Sequence, residues 1–155
     1  MSELSVGMMA PDFDLEADGG DRISLSGLKG NPVVVYFYPK DDTPGCTKEA
    51  IAFSGLQDEF AALNTTIVGI SPDTAAKHDK FKAKHDLTVR LAADTETLAA
   101  QAYGAWVEKN MYGKKYMGVE RSTFLVDGHG KIAQVWRKVK VPGHAEAVLE
   151  AVRAL

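Results

Sequence analysis

Apolar and polar positions along the chain change period several times, and each change predicts an element. Ala10-Pro11-Asp12-Phe13-Asp14-Leu15 alternates, Asp18-Gly19-Gly20-Asp21 supplies a turn, and Ile23-Ser24-Leu25 alternates again, which predicts an amino-terminal β-hairpin. After Gly30-Asn31-Pro32 the run Val33-Val34-Val35-Tyr36-Phe37-Tyr38 is apolar at every position, as a central strand covered on both faces must be. From Cys46 the period becomes helical: Phe53, Leu56, Phe60 and Leu63 recur at spacings of three and four and predict one apolar stripe on a helix that runs to about Leu63. Cys46 lies seven residues before Phe53 and therefore on the same, core-facing side.

Thr66 to Ser71 predicts a second buried strand, followed after Pro72-Asp73 by a helix from about Thr74 to His85. A short strand is expected within Leu87 to Ala93 and a short helix within Thr95 to Tyr103. Asn110 to Gly118, with two tyrosines and two methionines, reads as a loop. Ser122 to Val126 is another apolar strand, and the Asp127-Gly128-His129-Gly130 turn leads it into a hairpin with Lys131 to Trp136. Pro142 is expected to open a last helix with Ala145, Val148, Leu149 and Val152 on one side. The alternation of strands and helices, closed by a hairpin, predicts one α/β domain over residues 1–155 with a mixed central sheet and helices on both faces. The order of central strand, cysteine-bearing helix and later hairpin resembles a thioredoxin-like fold.

Composition narrows the function classes. With 45% apolar and 25% charged residues the chain is expected to be soluble and folded, and its net charge of −3 argues against nucleic acid as a partner. A single cysteine excludes an internal disulfide framework and points to a reducing compartment, the cytoplasm. Met1 to Val6 shows no basic segment before an apolar run, so no signal peptide is expected. The longest apolar run, Val33 to Tyr38, falls far short of the roughly 20 residues that span a bilayer, so no membrane association is expected.

The candidate chemistry lies between that run and the helix. A free thiol has a pKa of about 8.5, so something must favour the thiolate if Cys46 is to act as a nucleophile at neutral pH. Thr43 suits an N-cap and Pro44 a first helical position, which places Cys46 in the first turn, where unpaired backbone N–H groups point at the sulfur. That effect amounts to about 0.3–1 kcal/mol, against about 1.4 kcal/mol per pKa unit, so a cation from elsewhere in the chain is also required. Glu49, one turn along the same face, opposes the thiolate unless it is itself paired. A lone cysteine is otherwise an inert, buried, small apolar residue, but such a residue has no need of a Thr-Pro-Gly turn before it.

Pro39-x-x-x-Thr43-x-x-Cys46 resembles the active-site motif of the peroxiredoxins, and Thr43-Pro44-Gly45-Cys46-Thr47-x-Glu49-Ala50 is similar to their bacterioferritin comigratory (PrxQ) subfamily. The likeness continues through Ala10-Pro11-Asp12-Phe13, Leu28-Lys29-Gly30, Tyr36-Phe37-Tyr38-Pro39, Gly69-Ile70-Ser71, Lys109 to Lys115 and Gly118 to Asp127. It implies a peroxidatic role for Cys46, a thiolate-stabilising role for Arg121, an orienting role for Glu49 toward Arg121, and a hydroxyl at Thr43 that bonds substrate or thiolate. Pro39, Pro44 and Gly45 would shape the substrate pocket. Hydrogen peroxide and small organic hydroperoxides are the implied substrates, with no metal or organic cofactor. The resemblance favours a monomer and leaves a dimer open.

The subfamily's usual resolving cysteine, five residues after the first, is here Ile51. Five residues of helix rise about 7.5 Å, too far for a disulfide without unwinding, so members with that pair must unfold the helix and this chain has no such reason. A sulfenic acid at Cys46 must then be reduced by an outside thiol: thioredoxin, glutathione with glutaredoxin, or another small thiol. The same absence raises an alternative, a redox sensor or binding module that forms a mixed disulfide with a partner protein through Cys46. A disulfide oxidoreductase is disfavoured because Cys-x-x-Cys is absent. His78 and His85, seven apart, share a helix face but lack a third metal ligand, whereas His129 and His144 read as turn and helix-start residues. Lys77 to Lys84 read as a solvated face, and Met111, Tyr112, Tyr116 and Met117 as either pocket wall or core-packed loop.

Overall fold

The computed structural model describes residues 4–155. β1 (Asp14–Ala17) and β2 (Arg22–Ser24) pair antiparallel as the expected hairpin, with a 3-10 turn at Asp18–Gly20 between them. The chain continues through β3 (Val33–Phe37), α1 (Pro44–Gly55), α2 (Gln57–Ala62), β4 (Thr66–Ser71), α3 (Ala75–His85), β5 (Arg90–Ala93) and α4 (Leu98–Ala102). It ends with β6 (Trp106–Met111), β7 (Lys114–Val119), β8 (Ser122–Val126), β9 (Ile132–Trp136) and α5 (His144–Arg153).

Seven strands form one mixed sheet in the order β2-β1-β5-β4-β3-β8-β9. β3, β4 and β5 run parallel, and β1, β2, β8 and β9 pair antiparallel. This is the thioredoxin-like architecture expected from the sequence. β3 sits near the centre, and the absence of any polar residue along it has a plain cause: both of its faces are covered. Val33, Val35 and Phe37 pack with Phe13, Phe124, Tyr103 and Ala99 and Ala100 of α4 on one face. Val34, Tyr36 and Tyr38 pack on the other with Phe53 of α1, Phe60 of α2, Phe81 of α3 and Val148 of α5.

The β3–β4 contact has no room for a side chain at one point. Tyr36 lies opposite Gly69 in the register, and a Cβ added at Gly69 would stand 2.6 Å from the Tyr36 ring and 2.9 Å from Leu91. Tyr36 in turn stacks on Phe53 of the cysteine-bearing helix, with ring centroids 4.8 Å apart. Gly69→Ala is therefore expected to lower stability by about 1–3 kcal/mol, the usual cost of overpacking a core, as measured by urea unfolding. A cost near zero would mean that Tyr36 moves freely.

Three boundaries differ from the sequence expectation. The single helix to Leu63 is two helices, because Gly55 ends α1 and Leu56 leaves helical geometry (φ −106°, ψ 8°). The apolar stripe runs on regardless, since α2 restarts at once and buries Phe60. The segment from Asn110 to Gly118 is no loop: β6 and β7 form a two-stranded hairpin outside the main sheet, turning at Tyr112-Gly113, both at positive φ. Met111, Tyr112, Tyr116 and Met117 are exposed on it and belong to neither face of the core. The last helix starts at His144 with Gly143 at its N-cap, two residues after Pro142. No helix among the described residues is long and apolar enough to cross a membrane.

Candidate active site

The loop Tyr38 to Thr43 leaves the carboxyl end of β3 and enters α1, at the end of the sheet where ligands of open α/β folds gather. Thr43 holds the N-cap conformation (φ −96°, ψ 155°) and Pro44 is the first helical residue, as the sequence implied. The Thr43 side chain does not cap the helix, however; its hydroxyl donates to the Lys40 carbonyl at 2.8 Å. Cys46 is the third helical residue, 2% exposed, and faces the core with Ala50 and Phe53.

The cation that stands beside Cys46 is Arg121, 75 residues away in sequence. Antiparallel pairing of β3 with β8 sets Phe37 opposite Ser122, so the residue just before β8 stands beside the loop that leaves β3. The guanidinium of Arg121 donates from Nη2 to Cys46 Sγ at 3.3 Å and from Nη1 to Glu49 Oε1 at 2.6 Å. One planar cation thus bridges thiol and carboxylate, a geometry that an ammonium group does not offer. Gly45 makes space for it: a Cβ there would lie 3.1 Å from Nη2. Pro39 is half-buried after β3, Pro44 is exposed at the helix start, and Ile51 is 48% exposed on α1.

Burial sets the electrostatics. Glu49 is 1% exposed and its Oε2 has no hydrogen-bond partner. Desolvation pushes its carboxyl up to about 7, against the pull of the Arg121 guanidinium that lowers it. Desolvation of Arg121 works to lower its pKa, but Glu49 and Cys46 beside it more than offset this, and its proton is held more firmly than usual. Behind this group lies a residue that the sequence marked only as a helix start. His144 is buried, with Nε2 2.8 Å from Thr123 Oγ1 and its ring edge-on to Phe53 and Trp136. Desolvation and then the charge of Arg121 draw its pKa down to about 4.

These two groups tilt stability in opposite directions. As pH rises from 4.5 to about 7 the unfolded chain gives up the Glu49 proton that the folded chain keeps, so stability falls through that window. Between about 4 and 6.5 the unfolded chain holds a proton on His144 that the folded chain lacks, so stability rises with pH. Glu49→Gln, which keeps an acceptor for Arg121, should leave the upward slope of His144 uncovered in urea-unfolding midpoints. His144→Gln should uncover the downward slope of Glu49. Identical pH profiles for both variants and the parent would show that neither group titrates this way.

Among the described residues no group of three or more His, Cys, Asp or Glu side chains is placed to hold a metal ion. The two histidines of α3 turn instead to aspartates of the active-site loop, His78 to Asp41 and His85 to Asp42. Lys77, Lys80 and Lys84 are exposed, Lys84 bonding Asp42, while Lys82 bonds Asp18 at 2.7 Å.

Comparison with known proteins gives the family. Residues 6–135 match the AhpC/TSA family. Peroxiredoxin Bcp of Bacillus subtilis is 47% identical over 150 residues, covering 97% of this chain and 96% of the relative. The bacterioferritin comigratory protein of Xanthomonas campestris, whose trapped intermediate and ligand complexes bear on its alkyl peroxide reduction activity, superimposes with a TM-score of 0.90 at 43% identity over 97% of this chain and 96% of that one. PrxQ of Xylella fastidiosa superimposes with a TM-score of 0.93 at 37% identity over 99% and 98%. With likeness over nearly its whole length, the chain belongs to the AhpC/TSA family, in its Bcp/PrxQ branch of thiol-dependent peroxidases.

Proposed function

We propose that Cys46 is the peroxidatic nucleophile and reduces hydrogen peroxide and small organic hydroperoxides, with an external thiol closing the cycle. The observation that carries this reading is the Arg121 guanidinium lying between Cys46 Sγ and Glu49. The thiolate attacks one peroxide oxygen, the O–O bond breaks, and the sulfur gains a hydroxyl as the second oxygen departs as hydroxide or alkoxide and takes up a proton. Arg121 and the first N–H groups of α1 favour the charge that spreads along the breaking bond, and Glu49 orients Arg121. Because the Thr43 hydroxyl spends its hydrogen on Lys40, its oxygen is left to accept the O–H of the peroxide and does not donate to the thiolate. The alkyl peroxide reduction of the Xanthomonas campestris relative supports organic hydroperoxides as substrates.

A thiol then attacks the sulfenic sulfur, releasing water and leaving a mixed disulfide, and a second thiol frees Cys46. Thioredoxin, glutathione with glutaredoxin, and small thiols are the candidates, acting on a monomer in the cytoplasm. Mass spectrometry of the protein after one equivalent of peroxide, alone and then with each candidate thiol, tests the cycle. The expected products are an increase of one oxygen at Cys46 and its loss with the competent thiol. An unmodified Cys46 would overturn the assignment. The single cysteine also supports a second reading, a sensor that stops at a mixed disulfide with a partner protein. Steady-state turnover separates the two, since a sensor shows one oxidation event and little cycling.

A further inference from the structure

α3 grips the loop that leads into the Cys46 helix, and the grip is buried. His78 is 0% exposed, with Nδ1 2.6 Å from Asp41 Oδ2 and Nε2 2.9 Å from the Ala92 carbonyl on β5. The other oxygen of Asp41 accepts the Tyr38 hydroxyl at 2.5 Å. The backbone N–H of Asp41 donates to Asp73 Oδ2 at 2.8 Å, which also accepts the Ser71 hydroxyl. Every polar handle on the Asp41 side chain and its N–H is thus held, by Tyr38 just after β3, by Asp73 just after β4 and by His78 of α3, which is itself anchored on β5. On either side of Asp41 the loop is committed as well. Lys40 gives its carbonyl to the Thr43 hydroxyl, and Asp42, at φ 60°, bonds Lys84 and His85 on the surface.

The exposed Asp42 contacts contribute little, as surface pairs do. The His78–Asp41 contact differs, because removing either partner leaves buried polar groups unmatched. Among the described residues no hydrogen bond joins this network to Arg121, which reaches Cys46 from just before β8.

We propose that His78 is a positioning residue for peroxide reduction: by holding Asp41 it fixes the Lys40 carbonyl, and through it the Thr43 hydroxyl, where the peroxide is received. This rests on the roles given above to Cys46 and Thr43. It separates two properties of the same sulfur. Reaction with peroxide depends on Thr43 and hence on His78, whereas alkylation by neutral iodoacetamide depends on the thiolate and hence on Arg121.

The test compares, at one pH, the second-order rates of Cys46 with hydrogen peroxide and with iodoacetamide in the full chain. His78→Leu should lose roughly ten- to a hundredfold in peroxide rate, the scale of a misplaced reacting group, with alkylation nearly unchanged. Asp41→Ala, which cuts the same link from a loop and spares the helix, should repeat the loss. His78→Gln, which restores an N–H donor toward Asp41, should recover most of the rate. A peroxide rate within about twofold of the parent in folded Asp41→Ala, or an equal fall in both reactions, would overturn the proposal. Failure of the unmodified protein to react with peroxide at Cys46 would overturn the nucleophile assignment, and this proposal with it.

Discussion

Cys46→Ser is expected to abolish peroxide turnover, a loss on the order of 10⁴-fold or more, comparable to removing the nucleophile from other covalent catalysts. A serine hydroxyl fills nearly the same space and still accepts from Arg121 Nη2, so the Arg121–Glu49 contact and the α1 start should persist. What disappears is the sulfur on which the sulfenic acid forms. No other cysteine can substitute, since Cys46 is the only one in the sequence. The measurement is thiol consumption driven by peroxide, alongside thermal unfolding to show that the fold is retained. Residual peroxidase activity above the rate of the thiol alone would remove Cys46 from its role.

Arg121→Ala should be the second most damaging change. It takes away a donor aimed at both thiolate and transition state, a loss of about 10²–10³-fold in peroxide rate. It should also displace the pH dependence of Cys46 alkylation to higher pH, because the nearest cation is gone. Breaking a buried ion pair usually costs about 3–5 kcal/mol, since the remaining charge is stranded. Here the stranded group has an escape. Burial already pushes Glu49 up to about 7 with Arg121 present, so without it the carboxyl takes up a proton at neutral pH and the fold survives. Arg121→Lys should fall between, because a single ammonium cannot lie across Sγ and Oε1 together. Unchanged alkylation profiles in the alanine variant would show that Arg121 does not govern the thiolate.

How much of this was legible in the sequence depends on distance along the chain. Val33 to Phe37 declares its double burial in five consecutive residues, and Thr43-Pro44 declares the helix start, so the strand, the turn and the placement of Cys46 follow from local pattern. Arg121 does not. Its approach to Cys46 follows from the β3–β8 register, and only family resemblance pointed to it. His78 was visible but without a role, because its partner Asp41 lies 37 residues away and its spacing from His85 came with no third metal ligand. The β6–β7 hairpin was missed for a different reason: most of its residues meet solvent on both faces, so no alternation of apolar and polar positions was imposed on it. The break at Leu56 left no mark because the apolar spacing continues across a one-residue interruption.

Ile51, half in solvent on α1 at the position where the family resemblance implies a second cysteine, bears on the working life of the protein in the proposed cycle. A sulfenic acid at Cys46 has two fates, capture by a thiol or further oxidation by a second peroxide to the irreversible sulfinic form, and both arrive by diffusion. The mean number of cycles before inactivation is then the ratio of those two arrival rates. Doubling the thiol concentration doubles it and doubling the peroxide halves it. In that cycle endurance is a property of the surroundings, because the sequence holds a single cysteine.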